Sequence, residues 1–192
     1  MGTLIAGLVV FLLSHALRIF APGWRERQVA RMGPGPYKIA YSVVSIVGLV
    51  LVVWGYGMAR ANPVVLWPAP AWGRHATALL TVVGFILVVA AYVPGTRIKA
   101  ALGHPMTAGV GLWAIGHLAA NGSLAAVVLF GAFLAWAVVL FVTRRAQDRA
   151  AGTTYPAGSL SRDATVVVVG IVAALAFALF LHGPLIGVRP FG

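Results

Sequence analysis

The sequence contains no cysteine and, among its 192 residues, only three acidic ones: Glu26, Asp148 and Asp163. The first absence excludes disulfides, zinc–cysteine sites, iron–sulfur clusters and thiol catalysis. The second leaves too few carboxylates for an acid–base pair or a hard-metal site, and all three acids fall in the stretches read here as loops. Charge of either sign is scarce, at 9% of residues, against about 25% in a soluble globular domain. What fills the chain is apolar: 61% of residues are hydrophobic and the mean hydropathy is +0.97. So little polar surface cannot cover a water-soluble globule. The composition points to a multi-pass membrane protein in contact with the lipid bilayer. The net charge of +11 is spread between apolar stretches rather than gathered in one patch, which argues against nucleic acid as a partner.

A membrane-crossing helix needs roughly 20 mainly apolar residues. Six stretches meet or approach that length: 3–20, 39–58, 75–93, 105–120, 124–143 and 165–186. The fourth is the shortest. It is uncharged throughout, and Pro105 can open it because the first helical position needs no N–H. The first stretch lacks the basic lead and small-residue cleavage site of a signal peptide and is read as a mature helix. The expected fold is therefore all-α, a single domain over residues 1–192 built as a bundle of six transmembrane helices.

Basic residues orient the bundle. Eleven of the fourteen Lys and Arg fall in the first, third and fifth connections: Arg18, Arg25, Arg27, Arg31 and Lys38, then Arg97 and Lys99, then Arg144, Arg145, Arg149 and Arg162. Only Arg60, Arg74 and Arg189 fall on the other side. The positive-inside bias then puts connections one, three and five in the cytoplasm and both termini outside, in a bacterial inner membrane. The first connection, 21–37, and the fifth, 144–162, are rich in Gly, Pro or Thr and read as loops, the fifth as a flexible one. Gly48 and Gly55, and Gly109 and Gly116, are seven residues apart, so each pair lies on one helix face and allows close helix packing in lipid.

With no carboxylate at membrane depth, chemistry falls to histidine. His15, His75, His104, His117 and His182 all lie in or beside the expected helices. Ionisable residues at such depth are costly and are candidates for function. Imidazole is the commonest nitrogen ligand of haem iron, and bis-histidine haem ligation suits this inventory better than a hard-metal site. His104 and His117 are 13 residues apart, about 20 Å along a helix, and cannot share one iron. His15 can pair with His104 at one end, the first-choice pair, and His117 with His75 or His182 at the other. Each has a plainer reading as well. His75 and His182 suit interfacial water, His104 suits a helix start before Pro105, and His117 lies within reach of Trp113 and Asn121. Arg18, one turn from His15, suits a haem propionate or a lipid phosphate.

The segments Ser14-His15-Ala16-Leu17-Arg18, Tyr41-Ser42, Gly55-Tyr56, Arg97-Ile98-Lys99, His104-Pro105-Met106, Leu112 to Leu118, and Asn121-Gly122 occur together in this order. In combination they resemble the NnrU family of bacterial membrane proteins. The family's name derives from an association with nitrite and nitric oxide reductases in denitrifying bacteria. The chain is also similar to the plant zeta-carotene isomerase, a haem b membrane protein sharing this domain. The resemblance implies haem b, one or two per chain, with His15 plus His104 or His117 as axial ligands. It leaves three roles to weigh. The first is a redox or nitric-oxide-linked haem protein, and the second a haem-dependent cis–trans isomerase of a carotenoid-like polyene. The third is a non-enzymatic assembly or regulatory factor for a respiratory nitrogen-oxide reductase. An isoprenylcysteine-type methyltransferase fits less well. The acidic and arginine motif that family needs is missing after Trp136, where Asp148 is the only nearby acid.

Overall fold

The computed structural model describes residues 1–191, the side chain of Arg18 excepted. It is all-helical: α1 (Gly2–Phe20), α2 (Pro22–Met32), α3 (Pro34–Ala61), α4 (Gly73–Tyr92), α5 (Arg97–Leu102), α6 (Pro105–Ala120), α7 (Leu124–Ala150), α8 (Leu160–Ala176), a π-helical turn (Phe177–Leu181) and α9 (His182–Ile186). Among the described residues no strand forms; only isolated bridges pair Val65 with Ser123 and Thr96 with Ser159. A helix stands at each of the six expected places. Four of them, Pro34–Ala61, Gly73–Tyr92, Leu124–Ala150 and Leu160–Ile186, are long and apolar enough to cross a membrane. Counting α1 with α2, bent by 86° between them, gives up to five. The helix at Pro105–Ala120 exists but has 16 residues, about 24 Å at 1.5 Å each, short of a hydrocarbon core of about 30 Å.

The helices gather in two compact units, Met1–Val64 and Val65–Gly192. In the first, α1 packs along α3. The reason is glycine: a Cβ on Gly7 would collide with the backbone of Leu51 and Val52, and one on Gly55 with the backbone of Thr3 and Leu4. Gly48 meets Phe11 in the same way. Without a hydrophobic driving force between helices in lipid, such backbone approach supplies the packing. In the second unit α6 packs on α4, α7 and α5, while α8 packs on α4. Gly109 faces the Gly84 carbonyl, and Gly116 faces Thr77, whose hydroxyl donates to the Gly116 carbonyl at 2.6 Å. The two seven-spaced glycine pairs thus sit at helix contacts.

Two stretches expected as loops are partly helical. Between 21 and 37, Pro22 opens α2 at a position where its missing N–H costs nothing. Gly33, at φ 83°, ends that helix and Pro34 begins α3. Between 144 and 162, α7 runs on to Ala150, and only the remainder is irregular. Connections meet at each end of the second unit. The amides of Leu66 and Trp67 donate to the Gly122 carbonyl at 2.8 and 3.2 Å, and a Cβ on Gly122 would strike the Trp67 carbonyl. At the other end Ser159 donates its amide to Gly95, and Asp163 accepts from the amides of Arg97 and Ile98. Connections three and five thus meet at one end of this unit.

Replacing Gly55 by leucine should weaken the α1–α3 pair by at least the ~1–3 kcal/mol of an overpacked contact. Thermal unfolding of the purified protein in detergent checks this, with Gly57→Leu, a position with open space, left near the wild-type value.

Candidate functional site: the histidines

Three of the five histidines, His15, His117 and His182, share one local device. His117, half-buried on α6, donates Nδ1–H to the carbonyl of Trp113, four residues back, at 2.9 Å. A carbonyl can only accept, so a proton sits on Nδ1, which in the neutral ring leaves the lone pair on Nε2. The sequence leaves open whether Asn121 bonds this ring. Its amide donates instead to the backbone carbonyl of His117, at 2.8 Å, which satisfies an acceptor at the helix end. Aromatic rings wall the imidazole: Phe130 stacks at 4.6 Å between centroids and Trp113 lies tilted at 4.9 Å. Phe133 abuts Trp113 edge-on.

His182 behaves alike at the same end of this unit. Its Nδ1–H donates to the Val188 carbonyl at 2.7 Å. It follows the π-helical turn Phe177–Leu181, a distortion that is frequent at functional sites. Phe177 from that turn touches both the His182 ring and Phe85 of α4, at 5.9 Å each. His75, in the first turn of α4, is exposed.

In the first unit His15 repeats the pattern, donating Nδ1–H to the Phe11 carbonyl at 2.7 Å. Ser14 donates to the same oxygen at 2.8 Å. Phe11 lies 4.2 Å from the imidazole and Tyr41 of α3 meets it edge-on at 5.5 Å, so the Tyr41 segment and the His15 segment meet. The side chain of Arg18, an expected propionate or phosphate partner, lies outside the described residues.

His104 is bonded differently from His15, His117 and His182. It precedes Pro105 at the start of α6, as expected, but its Nε2 donates to Asp148 at 2.8 Å. The expectation of histidines without acidic neighbours is corrected here: Asp148, from the last turns of α7, reaches back to this end of the unit. Tyr155 donates to the same carboxylate oxygen at 2.7 Å and meets the His104 ring edge-on. Burial, then the hydrogen bond to Asp148, holds the Tyr155 phenol above its ordinary range, with Arg145 and Arg144 opposing. Neither Asp148 nor Tyr155 was visible as a partner, since 44 and 51 residues separate them from His104.

Among the described residues no group of three or more His, Asp or Glu can hold a metal ion. An apolar cavity of about 200 Å³ between α6 and α7, lined by Thr107, Gly111, Ile115, Leu134, Ala137 and Phe141 among others, contains no histidine.

Because Asp148 ties the connection after α7 to His104, Asp148→Asn should speed tryptic cleavage after Arg145 and Arg149 several-fold. Limited proteolysis followed by mass spectrometry reads this. Tyr155→Phe should give a smaller rise, since His104 remains bonded.

No curated protein and no solved structure matches the chain. A family model described as NnrU protein matches residues 3–190, from the first turn of α1 to beyond α9. An all-helical chain matched over nearly its whole length, with several helices long and apolar enough to cross a membrane, belongs to the NnrU family.

Proposed function

We propose that this NnrU-family protein is a bacterial inner-membrane haem b protein, in which His117 and His182 would hold the haem iron. The observation that carries the reading is the Nδ1–H of His117 committed to the Trp113 carbonyl. Histidines that bind metal nearly always donate their other ring N–H in this way, which fixes the tautomer and sharpens the basicity of the ligating nitrogen. His182 has the same anchoring, through Val188, at the same end of the unit. The donor set therefore fits a haem iron, which takes neutral imidazole, and does not fit a hard cation, which wants oxygen ligands.

The chain's own part is to hold the rings and keep water away. Phe130 and Trp113 fix the plane of His117, and Phe177 backs His182 from the π turn. His15, anchored on Phe11, is the ligand candidate of the first unit and a basis for a second haem. His104 spends Nε2 on Asp148 and offers only Nδ1. His75, exposed in the first turn of α4, is the alternative partner for His117. A b-type haem supplies one-electron redox chemistry and an iron that takes small gaseous ligands. That suits a redox or nitric-oxide-linked role beside respiratory reductases.

A pyridine haemochrome assay on purified protein tests the assignment. His117→Ala and His182→Ala should each remove most of the haem, and His75→Ala should leave it in place. Wild-type haem content in both of the first two variants, with folding intact, overturns the pair.

A further inference from the structure

We propose that α2 is an in-plane interfacial helix whose Trp24, Arg27 and Arg31 face grips the phosphates of anionic phospholipids. Three features of the first unit lead there. The apolar α1 ends at Phe20, and the chain then turns by 86° into α2. A helix leaving a transmembrane segment at nearly a right angle runs along the membrane plane. The composition of α2 also forbids insertion: it carries Arg25, Arg27, Arg31 and Glu26 and buries no residue. Such polar helices lie at the headgroup level.

The third feature is which side chains are left outward. Positions 24, 27 and 31 follow i, i+3, i+7 spacing and share one helix face. Trp24 is 42% exposed, and Arg27 and Arg31 are exposed too. Arg25 turns away, its guanidinium lying 5.6 Å over the Tyr37 ring of α3. Glu26 projects from the opposite side of the helix. Among the described residues the one ion pair is between His104 and Asp148, so no protein carboxylate claims Arg27 or Arg31. Guanidinium binds phosphate bidentately, and tryptophan settles at the membrane–water boundary.

A lipid fits better than a free anion. Phe20, the last residue of α1, and Met32, the last of α2, are 59% and 45% exposed. A soluble phosphate gives these apolar groups nothing to contact, whereas a leaflet surface takes both them and the arginines. By the positive-inside bias that surface is the cytoplasmic leaflet, which is the anionic one.

The absence of cysteine makes the test direct. A spin label on Gln28→Cys, beside the basic face, is followed in full-length protein in phosphatidylcholine nanodiscs with and without phosphatidylglycerol. The label should become markedly less mobile when phosphatidylglycerol is present, and adding inorganic phosphate to pure phosphatidylcholine discs should not reproduce this. In parallel, phosphatidylglycerol retained on purification from mixed lipid is counted by mass spectrometry. R27Q/R31Q should lose it several-fold relative to R74Q/R189Q, which removes the same charge elsewhere. A label indifferent to lipid composition overturns the proposal, as does equal retention by the two double variants. Immobilisation by inorganic phosphate alone overturns the choice of lipid. Should R27Q/R31Q fail to fold, the label on the otherwise unaltered chain still decides.

Discussion

A hydrocarbon environment offers no hydrogen-bond partners, so each polar group that enters it must be satisfied by the protein itself. That constraint dictates what an imidazole can do on a transmembrane helix. The nearest acceptor is the carbonyl one turn back, and His15 and His117 both take it. Ser14 and Thr77 solve the same problem with the same kind of bond, to Phe11 and to Gly73. For a hydroxyl the bond ends the matter. For an imidazole it assigns the proton to Nδ1 and puts the lone pair on Nε2. The chemistry proposed for this protein grows from that step, in which a backbone carbonyl fixes one ring nitrogen and leaves the other free to act.

Holding those rings in place requires helices that come close together. Gly7, Gly48 and Gly55 let α1 and α3 approach backbone to backbone, and Gly84, Gly109 and Gly116 do the same for α4 and α6. Close helices leave aromatic side chains to fill the wider layers, which is where Trp113 and Phe130 pack against His117 and Phe133 backs Trp113. The ends are tied in a different manner. There water and headgroups compete for hydrogen bonds, and ionised groups take over: Asp163 caps α5, Asp148 joins His104 to Tyr155, and Arg162 donates to the Pro94 carbonyl at 2.8 Å.

Much of this was legible in the residue order, because apolar length and small-residue spacing are local properties. The helix positions, Pro105 at the start of α6 and the glycine faces all follow from such local signals. The stretch at 105–120 was expected to be the shortest of six spans; its helix forms where expected, but its 16 residues fall short of a membrane crossing. The π turn before His182 was not legible, since nothing in Phe177–Leu181 distinguishes it from an ordinary apolar helix. The pairing of Asp148 with His104 was equally hidden: it depends on α7 running past its apolar portion and bringing its last turns back to the start of α6. α2 was masked by its composition. Glycine and proline suggested a loop, yet Pro22 and Gly33 stand at its edges, where they start and stop a helix rather than break one.

The claim on which the rest depends is the tautomer. Solid-state ¹⁵N NMR of histidine-labelled, haem-free protein in lipid bilayers reads it directly, with His117→Gln identifying the resonance. The account predicts a neutral His117 ring at neutral pH, protonated on Nδ1 and bare on Nε2. A proton on Nε2, or a charged imidazolium, would contradict it.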